Sequence, residues 1–225
     1  MTDKTIENTV NSPYIERSLA KGVHIAPKQS SLNSGRLNAW YEFCKLNNIF
    51  PRYRDVSIDT LSIPPNDDDG ESFSSKAMRW INKPKSLILQ GRAGRGKTHF
   101  MFAIIKEMFV THGLRVYGDV RYFDYVDLDR RLQDDVFKYK SSRPLIEQLS
   151  EIPILVLDDF GIDTGTNKHE RDFYEIFNNR FGNNLITIIS TNMNETEMYK
   201  AYGERIISRM KEAAVIEFNG PDLRG

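Results

Sequence analysis

The chain has 225 residues, which is enough for one α/β core with an appendage but too few for two large domains. Its 31 Lys and Arg residues balance 31 Asp and Glu residues, so no protein-wide field attracts nucleic acid or an anionic membrane, and any DNA contact must rest on local patches. The single cysteine, Cys44, excludes a disulfide framework and a cysteine-rich zinc site. With no apolar leader and no run of about 18 apolar residues, we expect a cytoplasmic protein without membrane contact.

The first third of the chain differs in composition from the rest. Residues 1–35 are polar, and an amphipathic helix is predicted over residues 36–48, where apolar side chains recur at helical spacing. Prolines and a run of aspartates follow, which is typical of an exposed loop. We therefore predict a tail or helical segment at 1–50, whose apolar stripe docks either on the core or on a partner, a linker at 51–72 and the main domain at 73–225.

In the main domain, short apolar runs alternate with helical periods, the pattern of β-α-β units around a parallel sheet covered on both faces. The predicted strands are Ser86–Gln90, Arg115–Asp119, Ile152–Leu157, Leu185–Ser190 and Val215–Phe218. The predicted helices are Thr98–His112, Asp127–Lys140, Lys168–Phe181 and Glu195–Tyr202. Seven residues follow the last strand, so no C-terminal helical lid is expected.

A glycine-rich segment joins the first strand of this domain to its first helix. Its glycines let successive backbone N–H groups turn toward a phosphate, and the helix N-terminus adds partial positive charge. Lys97 is predicted to reach the β- and γ-phosphate oxygens of ATP or ADP, and Thr98 to offer its hydroxyl to Mg²⁺. An ordinary glycine-rich turn is the alternative, and the flanking strand and helix favour the phosphate loop. The predicted nucleotide-binding residues are Gly91, Arg92, Ala93, Gly94, Arg95, Gly96, Lys97, Thr98 and His99.

Two acidic residues follow the apolar strand that lies about sixty residues further on. Asp158 falls at the carboxyl edge of the sheet, beside the phosphate loop, where it can hold Mg²⁺ through water. Asp159 is predicted to polarise the attacking water. Many ATPases have glutamate at this second position, and aspartate is one methylene shorter, so we expect hydrolysis to be slow or dependent on a partner. A polar strand end without a catalytic role is the alternative for this pair.

Polar and basic residues near the next strand complete the set of candidates. Asn192 follows that strand and is predicted to contact the γ-phosphate or to orient water, although such a residue often only caps a helix. Arg205 and Arg209 are four residues apart on one face of a helical segment. They are either solvated surface residues or a source of positive charge for a neighbouring subunit's γ-phosphate.

Together these motifs resemble the AAA+ ATPases of the DnaC/DnaI helicase-loader and IstB transposition-helper group. The likeness covers about residues 40–219 and rests on the phosphate loop, Asp-Asp-Phe-Gly at 158–161, Thr-Asn at 191–192 and Gly-Glu-Arg-Ile-Ile-Ser-Arg-Met at 203–210. It implies a P-loop ASCE/AAA+ core of three αβα layers with a parallel five-stranded sheet of order 5-1-4-3-2. It also implies that Asn192 is the sensor 1 residue and Arg209 the arginine finger, acting in trans, with Arg205 close by.

The resemblance implies partners as well: a hexameric replicative helicase, held by the N-terminal segment, and single-stranded DNA, with ATP controlling assembly and release. Candidate DNA contacts are Phe137 and Lys138 in one segment and Lys168 and His169 in another, because an aromatic ring beside a cation holds a strand without reading its sequence. An amphipathic helix end with Phe137 in the core is the alternative. An IstB-like helper that binds duplex DNA and a transposase, and a small P-loop kinase, remain open as other functions.

Overall fold

In the computed structural model, which describes residues 29–65, 70–139, 142–161 and 168–224, five parallel strands form one sheet. Their order across the sheet is β2-β3-β4-β1-β5, which confirms the predicted order 5-1-4-3-2. The strands are β1 (Leu87–Gln90), β2 (Val120–Asp124), β3 (Ile154–Phe160), β4 (Ile186–Thr191) and β5 (Ala214–Glu217). Residues of β3 and β4 are almost all buried, as expected of strands that helices cover on both faces.

Helices cover both faces of the sheet and make the predicted three-layer architecture. They are α1 (Gln29–Leu46), α2 (Pro51–Arg54), α3 (Phe73–Asn82), α4 (Lys97–His112), α5 (Tyr125–Tyr139), α6 (Arg143–Glu151), α7 (Lys168–Gly182) and α8 (Glu195–Met210). One apolar core lies under α1, α3 and α4, and a second lies under α5 to α8. Among the described residues, none of the helices combines the length and the apolar composition that a bilayer crossing requires.

Helix α1 packs directly on α4. The rings of Trp40 and Phe43 are fully buried and lie 5.9 and 5.3 Å from the ring of Phe109. The Arg36 guanidinium donates to the carbonyl of Val110 at the end of α4, over 2.7 Å. The part of the predicted partner-binding segment from residue 34 onward therefore contributes core side chains, while residues 1–28 lie outside the described residues. The domain boundary at residue 50 stays a prediction.

The second strand begins five residues later than predicted. Residues 115–119 form a loop, and β2 begins at Val120, opposite Ile154 of β3. The Asp119 carboxylate accepts hydrogen bonds from the backbone N–H and the guanidinium of Arg115, over 2.8 and 2.7 Å. Gly118 has a φ of +108°, which strand residues do not adopt. This side-chain bond and the glycine turn the chain before pairing starts.

Three helices, α2, α3 and α6, lie where the sequence pattern predicted none, and α8 extends beyond its predicted end. Helix α3 begins after Ser72, whose hydroxyl accepts the N–H of Ser75, and α6 has Pro144 in its first turn. Helix α8 continues past the expected end at Tyr202 to Met210, with a break at Gly203, whose φ is +74°. A capping box at Asn194 fixes its start.

Candidate nucleotide-binding site

The glycine-rich segment forms a tight loop between β1 and α4. Gly91, Gly94 and Gly96 have φ values of +151°, +80° and +93°, a region that side-chain-bearing residues rarely adopt. A Cβ atom at Gly91 would lie 2.4 Å from the Phe218 carbonyl oxygen, so the loop also passes too close to the end of β5 for a larger residue. Gly96 directly precedes α4, and the loop N–H groups therefore gather at a helix N-terminus, an arrangement that fits a phosphate.

Lys97 is held over this loop. It is 5% exposed, and its Nζ donates to the carbonyls of Gly91 and Arg92 over 2.6 and 2.9 Å and to Oδ1 of Asn192 over 2.7 Å. Burial lowers the pKa of Lys97, and the carboxylates of Asp159 and Asp158 oppose that shift. The ammonium group is thus a buried cation whose partners are mostly neutral oxygens, which a phosphate oxygen could replace.

A bulge in β3 presents the two aspartates at the carboxyl edge of the sheet. The pairing of β3 with β4 shifts register between Leu157 and Phe160, and Asp159 has a left-handed φ of +51°. Such a bulge re-aims side chains that regular pleating would direct to opposite faces. The predicted strand end at Leu157 is therefore three residues early, and Asp158 and Asp159 belong to the strand itself.

The carboxylate of Asp158 meets hydroxyl groups from three different elements. Its Oδ1 accepts from Thr98 at 3.2 Å and from Ser190, and its Oδ2 accepts from Tyr122 at 3.4 Å. Burial raises the pKa of Asp158 to about 6, although the Ser190 and Thr98 hydrogen bonds act in the opposite direction. A buried carboxylate next to the Thr98 hydroxyl is a donor set that suits Mg²⁺.

Asp159 and Asn192 lie on the same side of the loop as Lys97. Both line a cleft of about 610 Å³ together with Lys97 and Thr98. Burial raises the pKa of Asp159, and the nearby ammonium group of Lys97 lowers it. The sequence-predicted residues of the phosphate loop, the acidic pair and the strand-end asparagine therefore come together at one site.

Two further segments contribute to the walls of this cleft, and sequence reasoning did not assign the first of them to it. One is the predicted linker, which contributes Tyr53 and Ile63; the ring of Tyr53 lies 4.8 Å from that of His99. The other is the C-terminal segment, in which Leu223 donates its N–H to the Gly94 carbonyl over 2.9 Å and Arg224 faces the cleft. Tyr53 and Ile63 could have indicated from the sequence that the linker packs on the domain, because exposed linkers rarely carry such side chains.

A family model described as IstB-like ATP binding protein matches residues 66–211 of the chain, more than half of its length. The chain belongs to this family. Its AAA+ fold and its place in the DnaC-like group agree with the predicted resemblance.

Curated relatives of this family member include a replicative helicase loader and a protein of an insertion sequence. The replicative helicase loader DnaC of Escherichia coli is 29% identical over 143 residues, which cover 61% of this chain and 56% of the relative. A putative ATP-binding protein in an insertion sequence of Mycobacterium tuberculosis is 28% identical over 134 residues, or 59% of this chain and 50% of the relative. The chain thus spans about half the length of the curated relatives it matches.

A solved structure shares the fold. The crystal structure of the DnaC helicase loader aligns with a TM-score of 0.64 at 23% identity, covering 76% of this chain and all of that one.

In this family member, the two predicted trans-acting arginines are not part of the cleft of their own chain. Arg209 lies at the opposite edge of the sheet, where it lines a small cavity with Ser86 and Leu185, the residues just before β1 and β4. Its guanidinium carbon sits 5.0 Å from the Phe181 ring centre, and Nη2 is 3.4 Å from Oδ1 of Asn178. Arg205, one turn earlier in α8, is exposed.

The predicted DNA contacts separate into two groups. Phe137 is 84% exposed on α5, so its predicted alternative as a core residue was wrong, and Lys138 beside it is also exposed. Lys168 and His169 begin α7, and their side chains lie outside the described residues, as does the loop at 162–167. The structure therefore places one of the two candidate segments on the surface and leaves the second untested.

Proposed function

We propose that this protein is an ATPase that loads a hexameric replicative helicase onto single-stranded DNA. The observation that carries the proposal is the convergence of Lys97, Asp158 and Asn192 at one edge of the sheet, in a chain whose curated relatives include a replicative helicase loader. A nucleoside triphosphate and its metal ion require a cation such as Lys97 and a carboxylate such as Asp158. Oδ1 of Asn192 lies 2.7 Å from the Lys97 ammonium group.

In this proposal the phosphates bind the loop N–H groups, and the Lys97 ammonium exchanges its carbonyl partners for the β- and γ-phosphate oxygens. Thr98 and Asp158 would hold Mg²⁺, which supplies positive charge to the phosphates. Asp159 accepts a proton from the attacking water, and Asn192 orients that water or the γ-phosphate. The nucleoside lies against the wall that contains Tyr53 and Ile63. The short reach of Asp159 makes hydrolysis slow without a partner.

We propose that a neighbouring subunit supplies further positive charge to the γ-phosphate. Arg205 and Arg209 lie away from the cleft of their own chain, so in this proposal the γ-phosphate that they contact belongs to another copy. Of the two, Arg205 is the more exposed, and Arg209 would have to leave Phe181 to reach a neighbour.

Mixing two inactive variants tests this arrangement. Lys97→Ala abolishes hydrolysis at a subunit's own site, and a double Arg205→Ala, Arg209→Ala variant removes the charge it gives to a neighbour. We expect each to be inactive alone and their mixture to recover hydrolysis, because some interfaces then combine an intact loop with intact arginines. Arg143→Ala, an exposed arginine of α6, serves as the matched control. A mixture as inactive as its components would contradict a shared site.

The helicase contact is assigned to the N-terminal segment. Because Trp40 and Phe43 are core residues, a deletion should remove only residues 1–28 and leave α1 intact. We expect this variant to bind nucleotide normally and to lose capture of a hexameric replicative helicase. Capture at the wild-type level would contradict the assignment.

Contact with single-stranded DNA is assigned to the exposed end of α5. Replacing Lys138 by alanine should weaken binding of an oligonucleotide and make it less sensitive to salt, because one phosphate contact is lost. Wild-type binding with an unchanged salt dependence would remove Lys138 from the interface.

A transposition helper is the second candidate, since the family model is IstB-like and one relative lies in an insertion sequence. Such a protein binds duplex DNA and directs a transposase. Preference for duplex over single-stranded DNA in a direct competition, with no helicase capture by the full chain, would favour this function over helicase loading.

A further inference from the structure

Ser190 is a buried residue of β4 that none of the sequence motifs singled out. It is fully buried, and it lies one residue before the strand end, between the two carboxylate-bearing residues of β3 and the strand β1 that leads into the phosphate loop. A buried hydroxyl must find hydrogen-bond partners, and the choice of partners shows what it stabilises.

The Ser190 hydroxyl makes two hydrogen bonds, and both go to the acidic pair. It donates to Oδ1 of Asp158, and it accepts the backbone N–H of Asp159 over 2.9 Å. The N–H of Asp159 also lies 3.1 Å from Oδ1 of Asp158. One hydroxyl thus closes a small ring that includes the carboxylate of the first aspartate and the backbone of the second.

The two carboxylate oxygens of Asp158 differ in the hydrogen bonds that they accept. Oδ1 has three donors, from Ser190, Thr98 and the N–H of Asp159, whereas Oδ2 has the longer contact to the Tyr122 hydroxyl at 3.4 Å. Oδ2 is therefore the oxygen with capacity left for a water or a metal ion. The same ring holds Asp159 at its left-handed φ of +51°, a conformation that an aspartate adopts only with local support.

We propose that Ser190 is a positioning residue for the magnesium–nucleotide complex, fixing the Asp158 carboxylate and the Asp159 backbone together so that Oδ1 of Asp158 is held by protein donors and Oδ2 is left to the metal ion. The inference rests on the proposed nucleotide site. It adds a residue that touches neither the metal nor the nucleotide and that acts through the hydrogen bonds it makes to the acidic pair. Groups that orient metal ligands in this way contribute strongly to metal affinity.

The test separates metal binding from nucleotide binding. A fluorescent ATP analogue is titrated into wild type and variants first in EDTA, where the loop and Lys97 dominate, and then at fixed nucleotide with increasing Mg²⁺. For Ser190→Ala we expect the half-saturating Mg²⁺ concentration to rise about tenfold or more. Affinity for the nucleotide in EDTA should stay at the wild-type value. Mn²⁺ in place of Mg²⁺, followed by electron paramagnetic resonance, counts the bound metal directly.

Two further variants distinguish positioning from packing. Ser190→Thr keeps the hydroxyl and suits a strand, so it should recover most of the metal affinity. Ser150→Ala is the matched control, because Ser150 is also a buried serine with a hydrogen bond, from Asn179, but it lies on α6. Thermal melting of each variant confirms that it is folded.

Three results would contradict the inference: an unchanged Mg²⁺ requirement in Ser190→Ala, an equal loss of affinity in EDTA, or equal impairment of the alanine and threonine variants. Failure of the wild type to bind nucleotide in either medium is a different outcome, since it would overturn the proposed ATP site itself.

Discussion

Two buried charged groups lie at opposite ends of the same pair of strands, and their surroundings differ. Arg180 sits where β3 and β4 begin, and it is 1% exposed. Its guanidinium donates to five oxygens over 2.5–3.4 Å: the carbonyls of Leu149, Ile152, Pro153 and Ile186 and the hydroxyl of Thr187. Asp158 sits where the same strands end, and it shares its surroundings with Asp159 and Lys97.

The comparison shows two uses of a buried charge. At the amino edge, every N–H direction of Arg180 ends on an acceptor of the protein, so the charge joins α6, α7 and the strands into one unit. At the carboxyl edge, Asp158 lies beside a second carboxylate, that of Asp159, and the pKa of Asp158 rises to about 6, chiefly because burial disfavours its charged form. The first edge is complete without a ligand, whereas the second is the proposed site for a cation and a phosphate.

The largest expected change in the free energy of unfolding is at Arg180, where β3 and β4 begin. Replacing Arg180 by methionine should lower the free energy of unfolding by about 3–5 kcal/mol, because buried carbonyl groups lose their donor. Urea denaturation measures the change, and nucleotide affinity of the folded fraction should be unaffected. Arg143→Met is the matched control: this arginine is exposed and pairs with Glu147, so its loss should cost less than about 1 kcal/mol. Equal effects of the two substitutions would refute the role of Arg180.

The next substitution is at Asp158, where β3 and β4 end, and it is expected to raise the free energy of unfolding. The pKa of Asp158 is about 6 in the folded protein and 3.8 in the unfolded chain. Between pH 4 and 6 the folded state therefore binds more protons, and the free energy of unfolding falls as the pH rises through this window. Asp158→Asn should flatten this dependence and stabilise the magnesium-free protein at pH 7.5, by on the order of 2–3 kcal/mol.

Urea denaturation of wild type and Asp158→Asn at pH 4, 5, 6 and 7.5 provides the measurement. The variant should also lose Mg²⁺-dependent nucleotide binding, since a neutral amide replaces the carboxylate. If the variant were less stable than the wild type at pH 7.5, burial of the charged Asp158 carboxylate would not lower the stability of the folded protein.

The smallest effect concerns the C-terminal segment beside the phosphate loop. A Cβ atom at Gly94 would lie 1.9 Å from Oδ1 of Asp222, so this carboxylate is against the loop that we propose binds phosphates. Asp222→Asn should tighten ATP binding by about two- to fivefold at low salt, because it removes a like charge, and the gain should shrink at high salt.

Titration with a fluorescent ATP analogue at two salt concentrations measures this gain. Glu147→Gln, an exposed charge on α6, is the control for a general change in net charge. A gain that is equal in both variants, or that persists at high salt, would show that Asp222 has no local effect on the phosphates.

Much of the site could be predicted from sequence because it lies in contiguous motifs. The phosphate loop directly follows β1, Asn192 directly follows β4, and Asp158 and Asp159 lie in the last residues of β3. In a parallel sheet the carboxyl ends of neighbouring strands share one edge. Apolar runs predicted every strand except β2, which begins five residues later than expected, and the strand order came with the resemblance to AAA+ proteins. These features depend on local chemistry and on a small set of allowed topologies.

Other features depend on contacts between residues that are far apart in sequence, and only the tertiary structure decided them. Ser190 reads as one more strand residue until β3 and β4 pair with a bulge, which brings its hydroxyl to Asp158. Tyr53 belongs to an apparent linker until it folds over His99, and Arg180 appears to be a helix-surface residue until five oxygens surround it. A sequence pattern records which side chains are polar or apolar, whereas hydrogen-bond partners across elements arise from packing, which the pattern does not encode.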